Sequence, residues 1–446
     1  MSGRNYIAGD WAEAHGGDTY EKTNPWRPSE AVGSFASSGE ADVDAAVEAA
    51  HAAFPAWSRL PLAARGAYLV AAAASLERRA DDVARDMSRE MGKPLREARG
   101  ETLRAAQILR YSASEAFRPV GEHFEQALNG RQVSTRRRPV GVVGLITPWN
   151  FPIAIPVWKL APALMYGNTV VLKLAYEAPR TGLHVAEAFA EAGLPAGVLN
   201  VLTGRGSSAG AALVRDPRVR AISFTGSVPT GHGVRDEATR AGKRVQLELG
   251  GHNPLIVMGD ADLARAAEAA YAGAFWSAGQ KCTATRRIYV QDAVYDAFRD
   301  AFLGRIERGR NDGGEVATGG ERAHEEAYLL PPTVFEGVRD DAFLSCEEVF
   351  GPVTSLYRFG DLDEALARAN AVPFGLSASI FTASLATATR FQDEAQAGLL
   401  HVNSQTAGAD VHVPFGGIKQ SGFGPHEQGR AAIEFYTEVV TIYVDP

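Results

Sequence analysis

Residues 140–149 read VGVVGLITPW, an uninterrupted apolar run rich in Val and Ile, followed at once by Asn150. A strand carries such a run when both of its faces are buried, as in a parallel sheet covered by helices. TVVLKL from Thr169 and AISFTGS from Ala221 repeat the pattern, and the segments TGLHVAEAFAEAGL and SSAGAALVRD between them are helical in character. Strand alternating with helix predicts an α/β fold whose ligands bind beyond the carboxyl ends of the strands. The residues at those ends are therefore the informative ones. Thr147, Trp149 and Asn150 follow the first strand, Lys173 ends the second, Gly226 and Ser227 follow SFT, and Glu248 precedes a glycine pair in VQLELGG. In VLNVLTGRGSSAG, Gly204, Gly206 and Gly210 follow a strand and open a helix, a loose form of the dinucleotide fingerprint. The acidic residue expected about twenty positions further on has no candidate.

Upstream, the first forty residues alternate short apolar pieces with turn signals and read as small strands. From Asp42 to about Glu115 the spacing is helical, with Gly92, Lys93 and Pro94 breaking ADDVARDMSREMGKPLREARGETLRAAQILRYSASEA into two helices. Pro119 to Pro139 reads as an extended ribbon with a turn at Asn129-Gly130 and three arginines, Arg136 to Arg138, which suit a solvated strand. Downstream, NPLIVM from Asn253, the helix DLARAAEAAYAGAFWSAG and the strand RRIYV begin a second α/β unit. The chain ends in AAIEFYTEVVTIYV, helix then strand, and that strand needs a partner from elsewhere.

The chain has 446 residues, 46% hydrophobic and 22% charged, with a net charge of −8 and two cysteines. Cores rarely grow past about 250–300 residues, so two or three structural units are expected. The charge pattern offers no footprint for nucleic acid or an anionic membrane. Neither a signal-type N-terminus nor an apolar run of the ~20 residues a spanning helix needs is present, which points to the cytoplasm. Two cysteines make no disulfide framework, and no His/Cys cluster has metal-ligand spacing, so no metal is expected. Cys282, in FWSAGQKCTAT (residues 275–285), is either a small buried side chain or a nucleophile. Its neighbours Gly279, Gln280 and Thr283 are small or polar, a setting a small molecule could reach. Taken singly, Asn150 could cap a turn and Glu248 could be a helix-start or surface carboxylate.

LITPWNFP, LELGG, GQKCTA, EEVFGPV and PFGGIKQSG, in this order over most of the chain, resemble the aldehyde dehydrogenase superfamily. The resemblance implies two Rossmann-type α/β domains plus a β-ribbon oligomerisation arm. Residues 1–119 and 140–249 would bind the nicotinamide cofactor, 250–430 would form the catalytic domain, and 120–139 with 431–446 the arm of a homodimer or homotetramer. It implies Cys282 as the nucleophile that adds to the aldehyde. The amide of Asn150 and the backbone N–H of Cys282 become an oxyanion hole, and Glu248 the base that activates water. Cofactor contacts carried over are Ile146, Thr147 and Trp149, Lys173 and Glu348 at the riboses, and Phe350 beside the nicotinamide. Gly226 and Ser227 match the pyrophosphate side, Gly206 and Gly210 the adenine side. Cys346, beside Glu347 and Glu348, reads as structural.

Two departures stand out. Many relatives that prefer NAD carry a glutamate three places after the lysine; here Tyr176 takes that place, with Glu177 beside it, so NAD and NADP both stay open. The helix VYDAFRDAFLGRIERGR runs straight into NDGGEVATGG, where relatives place a further loop and helix, so the catalytic domain reads as shortened near 303–312. The segments HVNSQTAGADVHVPFGG and GPHEQG resemble the branch that oxidises α-ketoglutaric semialdehyde, 2,5-dioxopentanoate, to 2-oxoglutarate. Two rival readings are a CoA-acylating dehydrogenase, against which Glu248 speaks, and an oligomeric scaffold impaired by the shortening.

Overall fold

The computed structural model describes residues 2–118, 120–125, 130–311 and 327–445. At its centre five parallel strands lie in the spatial order Arg244–Glu248, Val219–Thr225, Val142–Ile146, Thr169–Lys173 and Leu199–Leu202. Successive side chains on a strand point to opposite faces, and both faces here are covered. Val142 and Val171 join Val43, Ala46, Val47 and Ala50 of the helix Glu40–Arg59 in one core. Val143, Val170 and Leu172 face the other way, into a core with Leu69, Leu109, Leu160 and Leu164. That is why the strand sequences are continuously apolar. Two antiparallel strands, Asn5–Ile7 and Asp10–Ala12, extend one edge, and Gly422–Phe423 pairs on the other.

Strand order reverses between Val142–Ile146 and Val219–Thr225, so the loops leaving their ends diverge and open a crevice. Register brings the relevant ends to one level: Ile146 opposes both Phe224 and Lys173, and Thr225 opposes Glu248. The helical run upstream breaks where expected, between Ala80–Met91 and Leu95–Ser114, with Gly92 left-handed at φ 77°.

A second sheet of six parallel strands has the order Thr333–Glu336, Val353–Phe359, Thr285–Gln291, Asn253–Val257, Ser377–Phe381 and Leu399–Val402. Helices Leu263–Phe275 and Tyr295–Asn311 cover one face. Phe302 stacks between Phe275 and Phe298, with ring centroids 6.0 and 5.9 Å away, over Leu255, Ile288 and Val290. The last strand, Thr437–Val444, finds its partner 300 residues upstream: it pairs antiparallel with Gln132–Pro139, beyond which lies His123–Phe124. Asn129 of the expected turn, and residues 312–326 behind the expected shortening, lie outside the described residues. Among the described residues no helix is long and apolar enough to cross a membrane.

Candidate active site

Cys282 stands in a loop between the helix Leu263–Phe275 and the strand Thr285–Gln291, at the amino end of the second sheet. The chain reaches it through three successive left-handed residues, Ser277 (φ 57°), Ala278 (54°) and Gly279 (65°). A side chain in that region costs roughly 1–3 kcal/mol, so the surroundings must hold the loop in place. Only glycine fits at 279, where a Cβ would come 2.2 Å from the carbonyl oxygen of Gly351. Asn253 donates from Nδ2 to the carbonyls of Cys282 (2.8 Å) and Ala284 (2.9 Å), and Arg286 donates to those of Gly279 and Gly351.

The Cys282 residue is half-buried because it opens on two cavities. One, of about 430 Å³, is lined by Trp149, Asn150, Thr225, Gly226, Ser227, Glu348 and Phe350 as well as Cys282. It lies at the strand-order reversal, and Trp149 meets Phe350 edge to face at 5.8 Å. The other, of about 640 Å³, is lined by Phe151, Trp158, Phe415 and Arg104 among others, again with Cys282. Both volumes suit small-molecule sites.

Asn150 is buried, and its Nδ2 donates to the carbonyl of Gln280 at 2.9 Å. An amide nitrogen carries two hydrogens, so one remains for a ligand beside the thiol. Its backbone carbonyl accepts from Lys93 Nζ at 2.6 Å, and Lys93 forms a buried pair with Glu101 at 2.5 Å. Glu101 in turn accepts from the backbone N–H of Ile153 (3.0 Å) and Ala154 (3.1 Å), which clamps the loop that carries Asn150.

Burial pushes the Cys282 thiol up to about 12, with Glu348 and Glu248 adding to the rise and the N–H groups of Thr283 and of Cys282 itself opposing it. Glu248 is held well above the usual carboxylate range by burial and then by Glu427, against the pull of Lys159 and the Gly417 N–H. Burial raises Glu348 to about 7, opposed by the Gly251 N–H at 3.1 Å and by Arg286. Lys173 is lowered to about 8 by burial, which Glu177 partly offsets. An unassisted thiol at this site is therefore protonated at neutral pH, and a base must take its proton before it can attack.

The hydroxyls of Thr147 and Thr225, at the two diverging strand ends, are buried with no hydrogen-bond partner. Thr225 lines the smaller cavity with Gly226, and its unpaired hydroxyl there suits a polar ligand rather than a packed core. Together with the strand-order reversal and the aromatic pair, the residues fit the cofactor.

The family model described as "Aldehyde dehydrogenase family" matches residues 11–308 and 299–442. The chain belongs to that family. It is 42% identical to the α-ketoglutaric semialdehyde dehydrogenase of Bacillus subtilis, over 99% of this chain and 98% of that enzyme. It is equally 42% identical to the α-ketoglutarate semialdehyde dehydrogenase of Haloferax volcanii, over 99% and 98%. Among solved structures, an NADP-dependent enzyme of E. coli superposes with a TM-score of 0.95 at 34% identity, over 100% of this chain and 98% of that one. An NAD-dependent aldehyde dehydrogenase of Sinorhizobium meliloti does so with 0.95 at 36%, over 100% and 95%. The protein is thus an NAD(P)-dependent aldehyde dehydrogenase. The two family matches overlap at 299–308, on the helix Tyr295–Asn311. The alignment to the Bacillus enzyme runs to 477 positions against a chain of 446, so this aldehyde dehydrogenase lacks length that the relative has.

The fold gathers Cys282, Asn150, Trp149, Gly226, Ser227, Glu348 and Phe350 at one cavity. Ile146, Thr147 and Lys173 stand together at neighbouring strand ends, where the Thr147 N–H donates to the Lys173 carbonyl at 3.3 Å. Gly206 and Gly210 lie one strand further out, in the turn before Ala211–Arg215, and do not line that cavity. Glu248 lines neither cavity; it is buried, and the charge of Glu427 acts on it. Glu101, Lys159 and Glu427 were not singled out by sequence reasoning, and Lys93 was read only as part of a helix break. One signal was available: Lys159 interrupts AIPVWKLAPALM, a helix of which every other residue but Trp158 is also buried, and a charge in such a run is kept only if paired.

Proposed function

We propose that this aldehyde dehydrogenase oxidises 2,5-dioxopentanoate to 2-oxoglutarate, the reaction that the names of its 42%-identical relatives describe. The observation that carries the chemistry is the placement of Cys282 between two cavities, one for cofactor and one for aldehyde. Glu248 takes the thiol proton, the sulfur adds to the aldehyde carbon, and the new oxyanion is received by the Asn150 amide and the Cys282 N–H. Ile146, Thr147, Trp149, Lys173, Gly206, Gly210, Gly226, Ser227, Glu348 and Phe350 would hold the nicotinamide cofactor, which would supply the hydride acceptor. Loss of hydride from the tetrahedral carbon leaves a thioester on Cys282. Once Glu248 has passed that first proton to solvent, it takes a proton from water, which attacks the acyl carbon and releases the carboxylic acid and the thiolate. A base whose charge reaches the thiol, as that of Glu248 does, favours hydrolysis over transfer to CoA.

Residues 1–119 and 140–249 serve the cofactor, and 250–430 the chemistry. The ribbon of 120–139 with 431–446 serves as an oligomerisation arm; its outer strand exposes Val439, Tyr443 and Val444, apolar area suited to a second copy in a homodimer or homotetramer. Two unpaired cysteines suit a reducing compartment, the cytoplasm. The test is growth of reduced-cofactor absorbance with 2,5-dioxopentanoate and simple aldehydes, offering NAD and NADP separately, with Cys282→Ala as control. Turnover that survives Cys282→Ala would remove the mechanism, and a wild type inert toward 2,5-dioxopentanoate would remove the substrate.

A further inference from the structure

Gln428, on the wall of the larger cavity, is at odds with its surroundings in two ways. Its backbone stands at φ 58°, ψ 173°, a region that residues other than glycine rarely enter. Its side chain is only 4% exposed, yet neither atom of its amide has a hydrogen-bond partner. A glycine would remove both penalties, and Gly429, next in the chain, already has φ 52°. A strained, buried and unpaired amide facing a cavity is the mark of a residue kept for a ligand.

The other polar groups of that wall show what the ligand must be. Glu97 accepts from Ser277 Oγ at 2.6 Å, Glu101 is paired with Lys93, and Lys281 donates to the Ala272 carbonyl at 3.0 Å, so these are engaged within the protein. Arg104 donates to the carbonyl of Ala409 and feels the carboxylate of Asp410, and its fork of five N–H groups has donors beyond that one bond. Phe151, Trp158 and Phe415 supply the apolar remainder. A cavity with an apolar body, a guanidinium, an orphaned amide and the unpartnered His401 Nε2 suits a short carbon chain that ends in adjacent oxygen acceptors.

We propose that Arg104 and Gln428 form the receptor for the 2-oxo-carboxylate end of the substrate. The guanidinium takes the carboxylate and Gln428 Nε2 donates to the 2-oxo oxygen, while the aldehyde carbon lies at Cys282. This rests on 2,5-dioxopentanoate being the substrate.

The experiment compares wild type, Gln428→Gly and Arg104→Met on 2,5-dioxopentanoate and on pentanal, a five-carbon aldehyde without the acid end, with thermal midpoints alongside. A site built to pair a polar group rejects the analogue lacking it. Expected are a KM for the dioxo acid raised about tenfold or more in each variant and a fall of about tenfold in the ratio of kcat/KM for acid over pentanal. Gln428→Gly should also melt higher than wild type as its strain is released. A ratio unmoved in both variants overturns the receptor. If wild type shows no preference for the acid over pentanal, the substrate reading falls. The receptor is then judged by calorimetric binding of 2-oxoglutarate: binding weakened about tenfold in Gln428→Gly keeps it, and no binding to wild type overturns it.

Discussion

Lys159 and Glu427, 268 residues apart, form an ion pair buried in the protein, and the charge of Glu427 helps to hold the Glu248 carboxyl above its usual range. Lys159 Nζ also donates to Ser223 Oγ at 2.8 Å, and that hydroxyl bonds Gln246 at 3.0 Å. One cation thus acts on two buried carboxylates, and Glu248 must ionise to serve as the proposed base. Lys159→Met should leave both without compensation. The acid limb of the kcat profile should move up by about one pH unit or more, because an ionised Glu248 then becomes harder to form. Stability should fall by about 3–5 kcal/mol in urea unfolding, the usual cost of breaking a buried pair. An unmoved acid limb would mean that the pair is only structural.

Glu248→Gln should separate the two halves of the reaction. If the base is needed most for hydrolysis, acyl enzyme should build up, and intact mass should show the substrate's acyl group on Cys282 with kcat down by about 10²–10⁴. Loss of the first turnover as well, with no acyl adduct, would place its main role in thiol deprotonation.

The clamp on Asn150 makes a prediction away from the chemistry. Glu101→Ala strands Lys93 in a site where both side chains are almost fully buried and frees the N–H groups of Ile153 and Ala154. A stability loss of about 3–5 kcal/mol is expected. In folded protein kcat should fall by about 10²-fold through misplacement of the oxyanion donor. Retained kcat in a destabilised protein would show that Asn150 needs no clamp.

The first sheet was legible because burial on both faces forces continuous apolar runs, and the strand ends Thr147, Lys173, Gly226 and Glu248 could be read off them. Their spatial order could not be, since nothing in VGVVGLITPW says that its neighbours are Thr169–Lys173 on one side and Val219–Thr225 on the other. Cys282, Asn150 and Glu248 were individually weak and became a site only through motif resemblance. Lys159, Glu427 and Gln428 were harder still. Their roles depend on contacts across hundreds of residues and on a backbone angle, neither of which leaves a local pattern.

Glu348 carries a pH dependence of stability. Its folded value is raised from 4.5 to about 7, so between those values the folded state holds a proton that the unfolded chain has lost. Unfolding free energy should therefore fall as pH rises through that window and level off above it, where the ionised carboxylate is fully costed against burial. Glu90 is raised by burial to about 7 as well, so Glu348→Gln should make this part of the urea-midpoint profile between pH 5 and 8 shallower without abolishing it. A profile identical to wild type would show that the carboxyl is not buried in solution.

We expect cofactor choice to turn on Tyr176, which takes the place where the resemblance puts a glutamate in NAD-preferring relatives. Its ring stacks on Tyr20 at 4.2 Å and 18°, and the Arg205 guanidinium lies over it at 4.5 Å, donating to its hydroxyl at 3.3 Å. Lys173 is three residues before it, and Glu177 is the carboxylate whose charge acts on that lysine. A carboxylate at 176 would repel a 2′-phosphate; a phenol under a guanidinium does not, and Arg205 brings the charge that a phosphate pairs with. NADP should bind Cys282→Ala protein at least as tightly as NAD in a fluorescence titration. Adding Arg205→Ala should weaken NADP about tenfold and leave NAD within about twofold, since only the phosphate loses a partner. Tyr176→Glu should reverse the preference by about tenfold or more. NAD bound far more tightly than NADP, with Arg205→Ala without effect on either, would assign discrimination to Glu177 instead.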